Sequence, residues 1–104
     1  MSKIYRQGDV LIVEVEEIPT KGMAPIPLDK GDNILAYGEV TGHAHRLKGK
    51  TSHFQRHTSG ARYLTVPKEA PLTHEEHDTI KLPKGNYRII QQVEYQKEFR
   101  PVID

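Results

Sequence analysis

Residues 86–95 read Asn86-Tyr87-Arg88-Ile89-Ile90-Gln91-Gln92-Val93-Glu94-Tyr95. On an extended chain Tyr87, Ile89, Gln91, Val93 and Tyr95 share one face, and this period of two predicts a strand. Reading back toward the amino terminus, Lys84-Gly85 supplies a turn and Pro83 stops a short strand at 79–82. Further strands are expected at 72–76, at 61–66 (ended by Pro67), at 51–57 and at 34–41. In residues 9–17, Leu11, Val13 and Val15 point one way and Glu14 and Glu16 the other. Val10 and Ile12 share the outer face, which predicts cover on both sides at the start of that strand. Segments 34–41 and 51–57 are expected to pair as a hairpin across Leu47-Lys48-Gly49-Lys50.

Glycine and proline interrupt the chain too often for long helices. The fold class is therefore mostly β, a single domain over residues 1–104 built as a small barrel or sandwich, architectures that hide strand edges. Residues 18–33 carry Pro19, Gly22, Pro25, Pro27 and Gly31, with Met23, Ile26 and Leu28 among them. A connection of that length predicts a lid, a partner-binding loop or local disorder. The tail at 96–104 is expected to be irregular or to dock on a neighbour.

The 104 residues hold 15 basic and 14 acidic side chains, a formal charge of +1, so bulk electrostatics favours neither nucleic acid nor membrane. No cysteine is present, which excludes disulfides, thiolate metal sites and cysteine nucleophiles and leaves histidine and carboxylate as metal ligands. No run approaches a membrane span, and the first residues lack the apolar core of a secretion signal, so a cytoplasmic protein is the expectation.

Six histidines carry the chemistry. His43 and His45 are two apart, so on a strand both emerge from one face, about 6–7 Å apart. His74 and His77 are three apart, on opposite faces of a strand but together in a bend at Glu76-His77. His53 and His57 form a further candidate pair whose relation to His43 and His45 depends on hairpin register. A two-residue turn sets Ala44 opposite His53, and a three-residue turn sets His45 there. Taken singly, His53 and His57 are more often inert than functional, and Glu75-Glu76 is more often a solvated turn than a catalytic pair.

Neutral imidazole is the commonest protein ligand for transition metals and exchanges protons near neutral pH. The leading reading is a divalent metal site (Zn, Mn, Fe or Ni) used for hydrolysis. His43, His45 and His74 are the ligands, with His77 or His53 as candidates for a further one, and Glu75, Glu76 or His77 serves as acid or base. Two histidines with a carboxylate would instead suit iron or manganese. The alternative is a metal-independent ribonuclease that cleaves RNA or a cyclic oligonucleotide with a histidine pair, Arg46 and Lys50 stabilising phosphate charge. The simpler reading of those cations is solubility. A third class is a non-catalytic binding or assembly module. Small-molecule, nucleotide or RNA substrates and a homo-oligomer fit these readings; a membrane does not.

Gly38, His43 and His45 resemble the first motif of the cupins, a family of metal-binding barrels. Four residues rather than five separate Gly38 from His43, and no glutamate follows among residues 46–50. Pro83-Lys84-Gly85 is similar to the second cupin motif but lacks its histidine, so cupin ligands carry over to His43 and His45 alone. Three runs also resemble those of small bacterial proteins of unassigned function: residues 38–46 (Gly-Glu-Val-Thr-Gly-His-Ala-His-Arg), 72–77 (Leu-Thr-His-Glu-Glu-His) and 82–88. That resemblance implies that the two histidine runs act as one unit and carries no activity with it. Gly8 to Val13 and Ile26-Pro27-Leu28 are loosely similar to the start and loop of the small co-chaperonins, in architecture only.

Overall fold

The computed structural model describes residues 3–38 and 42–91. Ten strands follow one another: β1 (Ile4–Gln7), β2 (Val10–Val15), β3 (Met23–Pro25), β4 (Asn33–Tyr37), β5 (Ala44–Leu47), β6 (Ser52–Arg56), β7 (Arg62–Val66), β8 (Ala70–Thr73), β9 (Ile80–Leu82) and β10 (Gly85–Gln91). They form two antiparallel sheets, one of six strands in the order β1-β2-β10-β7-β6-β3 and one of four in the order β4-β5-β8-β9. Among the described residues no strand pairing closes them into a barrel. No helix there is long and apolar enough to cross a membrane.

The two sheets bury one shared core. Val10, Ile12, Leu64, Val66, Tyr87 and Ile89 come from the larger sheet, and Leu35, Ala36, Leu47, Ala70, Leu72 and Leu82 from the smaller. The alternation read over residues 86–95 holds for Tyr87 and Ile89, which are buried, whereas Gln91 is exposed; residues 92–95 lie outside the described residues. The tail at 96–104 lies outside them as well.

Three local expectations are corrected. The buried face of β2 is that of Val10 and Ile12, not that of Leu11, Val13 and Val15, which are half-buried. Register explains it. Ile12 stands beside Ile89 on β10 and Tyr5 on β1, so the inward faces of three strands line up on the same residue level. Second, segments 34–41 and 51–57 do not pair as a hairpin: β4 pairs with β5, which also pairs with β8, while β6 pairs with β7 and β3. The Leu47–Lys50 stretch is a crossing between sheets, and Lys48 still donates its amide to Pro71 O at 3.0 Å along the β5–β8 ladder. Third, the long loop contains β3, a three-residue edge strand whose outer position tolerates Pro25. The first strand, β1, is an addition to the expected set. Its four residues, Ile4, Tyr5, Arg6 and Gln7, are too short a run for a periodic signal.

Candidate functional site

His45 sits on β5 between two neighbours. On one side Ala36 of β4 pairs with it; on the other Arg46 pairs with Thr73 of β8, so the same register carried one residue further sets His45 against His74. The ring centroids of His45 and His74 are 4.3 Å apart. The chain bends after β8 over residues 75–77, and this returns His77 to within 4.7 Å of His74 and 6.0 Å of His45, nearly parallel to the latter. His43, just before β5, meets His74 edge to face at 5.9 Å. Four imidazoles from two chain segments are thereby gathered at one end of the smaller sheet.

Gly38 and Gly8 make the room. The β4–β5 connection is closed by the Gly38 amide donating to His43 O at 2.8 Å, and a Cβ on Gly38 would lie 2.9 Å from the His43 Cβ. Gly8, in the turn between β1 and β2, has φ +60°, and a Cβ there would lie 2.7 Å from His77 Nε2. A side chain at Gly8 would meet both backbone strain and an imidazole already in place.

The β1–β2 turn forms the other wall, and neither of its polar residues was expected to take part. Gln7 is buried, with Oε1 2.8 Å from His45 Nδ1 and Nε2 donating to Leu72 O and Asp78 O, each at 2.9 Å. Asp9 places Oδ1 3.5 Å from His45 Nε2. Only the Gly8-Asp9 turn signal could have pointed to them, because contact between β1 and the end of β8 is a property of the tertiary fold. Burial, and after it the neighbouring His74, pushes the His45 imidazole below the ordinary histidine range, with Asp9 opposing. His45 is therefore neutral at pH 7.

The two glutamates divide. Glu75 accepts the Ala44 amide at 2.9 Å, and that bond holds its carboxyl below the usual carboxylate range, so it ties the bend to β5 and makes a poor base. Glu76 is exposed, with Oε1 3.9 Å from His43 Nδ1, a nitrogen that is buried and has no hydrogen-bond partner. The Glu76 amide donates to His74 Nδ1 at 3.0 Å.

The remaining sequence candidates lie elsewhere. His53 is buried on β6 opposite Leu64, and the hairpin registers that would have joined it to His45 do not form. His57 is exposed in the turn after β6. Arg46 alternates to the face of β5 opposite His45 and lies 3.8 Å from Asp32, and Lys50 is exposed in the crossing between sheets. Among the described residues, no group of three or more His, Asp or Glu side chains is arranged to hold a metal ion. The arrangement is one imidazole–carboxylate edge, His45 with Asp9, surrounded by three more imidazoles.

No curated protein and no solved structure matches this chain. Residues 6–92, a span that holds the whole histidine cluster and both of its walls, match the model of a family described as a domain of unknown function, DUF8820, and the chain belongs to that family.

Proposed function

We propose that the cluster binds a divalent transition metal and uses it for hydrolysis. The observation that carries this reading is the 3.5 Å separation of His45 Nε2 and Asp9 Oδ1. Two ligands of one tetrahedral ion with bonds of about 2.1 Å stand roughly 3.4 Å apart, so this pair already has the spacing of one coordination edge. His77, exposed, and His74, half-buried, are next to it and complete the set by side-chain rotation. His43 lies further out with Glu76. Histidine and carboxylate ligands without thiolate suit zinc, iron, manganese or nickel.

Held by these residues, such an ion would supply Lewis-acid chemistry of the kind that lowers the pKa of bound water toward 7 and polarises an ester or phosphoryl oxygen. Glu76, exposed and facing His43, is the carboxylate free to take a proton from an attacking water, whereas Glu75 is held by the Ala44 amide. His74 joins the ligand set only by releasing the Glu76 amide from Nδ1 or by binding through that nitrogen. The test is elemental analysis of protein purified without an affinity tag, followed by reloading with zinc, manganese, nickel or iron. About one metal per chain, lost in Asp9→Ala, is expected. No bound metal and no affinity for any of the four would overturn the proposal.

One observation favours a second reading. Because His74 Nδ1 accepts the Glu76 amide, the neutral ring carries its hydrogen on Nε2, while His45 is a neutral ring 4.3 Å away. Two adjacent imidazoles, one neutral to take a proton and the other able to give one once protonated, are the pairing that metal-free cleavage of RNA or a cyclic oligonucleotide requires. Arg46 is turned toward Asp32, so the cation expected for that reaction is directed away. Cleavage that persists in chelator and leaves a 2′,3′-cyclic phosphate would favour this reading over hydrolysis by metal.

A further inference from the structure

We infer that Gln7 is a positioning residue that fixes the tautomer of His45, placing the ring hydrogen on Nδ1 and turning the lone pair of Nε2 toward Asp9. Gln7 Nε2 donates to two backbone carbonyls, Leu72 O and Asp78 O, each at 2.9 Å, which uses both of its hydrogens. Flipping the amide would set Oε1 against both carbonyl oxygens. Oε1 is therefore the atom facing His45 Nδ1 at 2.8 Å, and as an acceptor it requires a hydrogen on that nitrogen.

A neutral imidazole has one ring hydrogen. Two acceptors compete for it, Gln7 Oε1 at 2.8 Å and Asp9 Oδ1 at 3.5 Å on the other side. Gln7 is 2 % exposed and its orientation is locked by backbone, whereas the Asp9 side chain is 50 % exposed and solvated. The shorter, drier bond takes the hydrogen. His45 then presents an unprotonated nitrogen to a carboxylate, an arrangement of two facing acceptors that a cation relieves. Metal-ligating histidines are commonly oriented by such a partner on the far ring nitrogen. The tautomer is a property of the metal-free protein; its consequence for affinity rests on the metal-site reading.

The experiment is a long-range ¹⁵N–¹H correlation spectrum of the histidine rings, recorded on the full chain without metal at about pH 8, where imidazole is neutral. Wild type is expected to show His45 with hydrogen on Nδ1. In Gln7→Met, which keeps side-chain length but removes all three hydrogen bonds, the hydrogen is expected to move to Nε2, where Asp9 accepts it. Zinc affinity is then expected to fall 10- to 100-fold. Hydrogen on Nε2 in the wild type would overturn the inference even if the variant does not fold. So would an unchanged tautomer in a folded Gln7→Met, as judged by its backbone amide spectrum. A tautomer shift in a protein that binds no metal would uphold the role of Gln7 and overturn only the metal-site reading.

Discussion

His45 and His53 are equally buried, 2 % and 3 % exposed, yet they stand in opposite surroundings. His45 lies at the end of its sheet, where Gln7 satisfies one nitrogen, Asp9 faces the other and three further imidazoles crowd the ring. His53 lies within the larger sheet opposite Leu64, and neither of its nitrogens has a partner. Burial alone therefore does not mark a functional histidine. Polar groups brought from other strands meet both ring nitrogens of His45 and neither of His53.

The largest expected effect tests the His53 side of this contrast. Burial, and after it Arg62, pushes the His53 imidazole from 6.5 down to about 4. A group lowered on folding contributes its full stability above pH 6.5 and loses it as pH falls from 6.5 to 4, because the unfolded chain binds the proton first. The loss over that window is roughly 3 kcal/mol, read as a falling urea midpoint. His53→Leu is expected to flatten that dependence. It should also raise stability at pH 7 by about 1–2 kcal/mol, since it removes a buried polar group without partners. A midpoint that falls as steeply in His53→Leu as in wild type would place the proton uptake elsewhere.

A smaller effect is expected where the cluster meets the β1–β2 turn. Gly8→Ala imposes a side chain at φ +60° and 2.7 Å from His77 Nε2, and should cost about 1–2 kcal/mol while displacing His77. Unchanged stability with unchanged His77 ring resonances would show that the turn does not press on the cluster. The smallest effect belongs to His57, exposed after β6: His57→Ala should stay within about 0.5 kcal/mol of wild type in stability and leave zinc affinity unaltered. A loss of metal on that substitution would move the site away from residues 43–45 and 74–77.

Much of this was legible in the sequence, and the failures have physical causes. Period-two patterning located β2, β4, β6, β7, β9 and β10 to within a few residues, because alternate burial imposes that spacing on any half-buried strand. Pattern did not give partners. Lys48-Gly49 has the composition of a hairpin turn, yet the chain there passes from one sheet to the other, and composition does not distinguish the two. The four clustered histidines were readable as two runs, since spacing of two across the start of β5 and of three around a bend are local facts. Gln7 and Asp9 were not, because their contact with His45 spans more than 35 residues and depends on how the β1–β2 turn meets the other sheet. Leu11, Val13 and Val15 read as the buried face of β2 because Glu14 and Glu16 share the face of Val10 and Ile12, whereas register with Tyr5 and Ile89 decides for Val10 and Ile12.

The comparison is tested most directly by titrating zinc calorimetrically into wild type, His45→Ala and His53→Leu under one buffer condition. A bound zinc site of four ligands is worth roughly 3 kcal/mol per ligand. The expected result is therefore saturable binding by wild type near one ion per chain, at least about a hundredfold weaker binding by His45→Ala, and binding by His53→Leu equal to wild type. Equal affinity in wild type and His45→Ala, or no saturable binding by wild type, would contradict a metal site built on the cluster at the end of the smaller sheet.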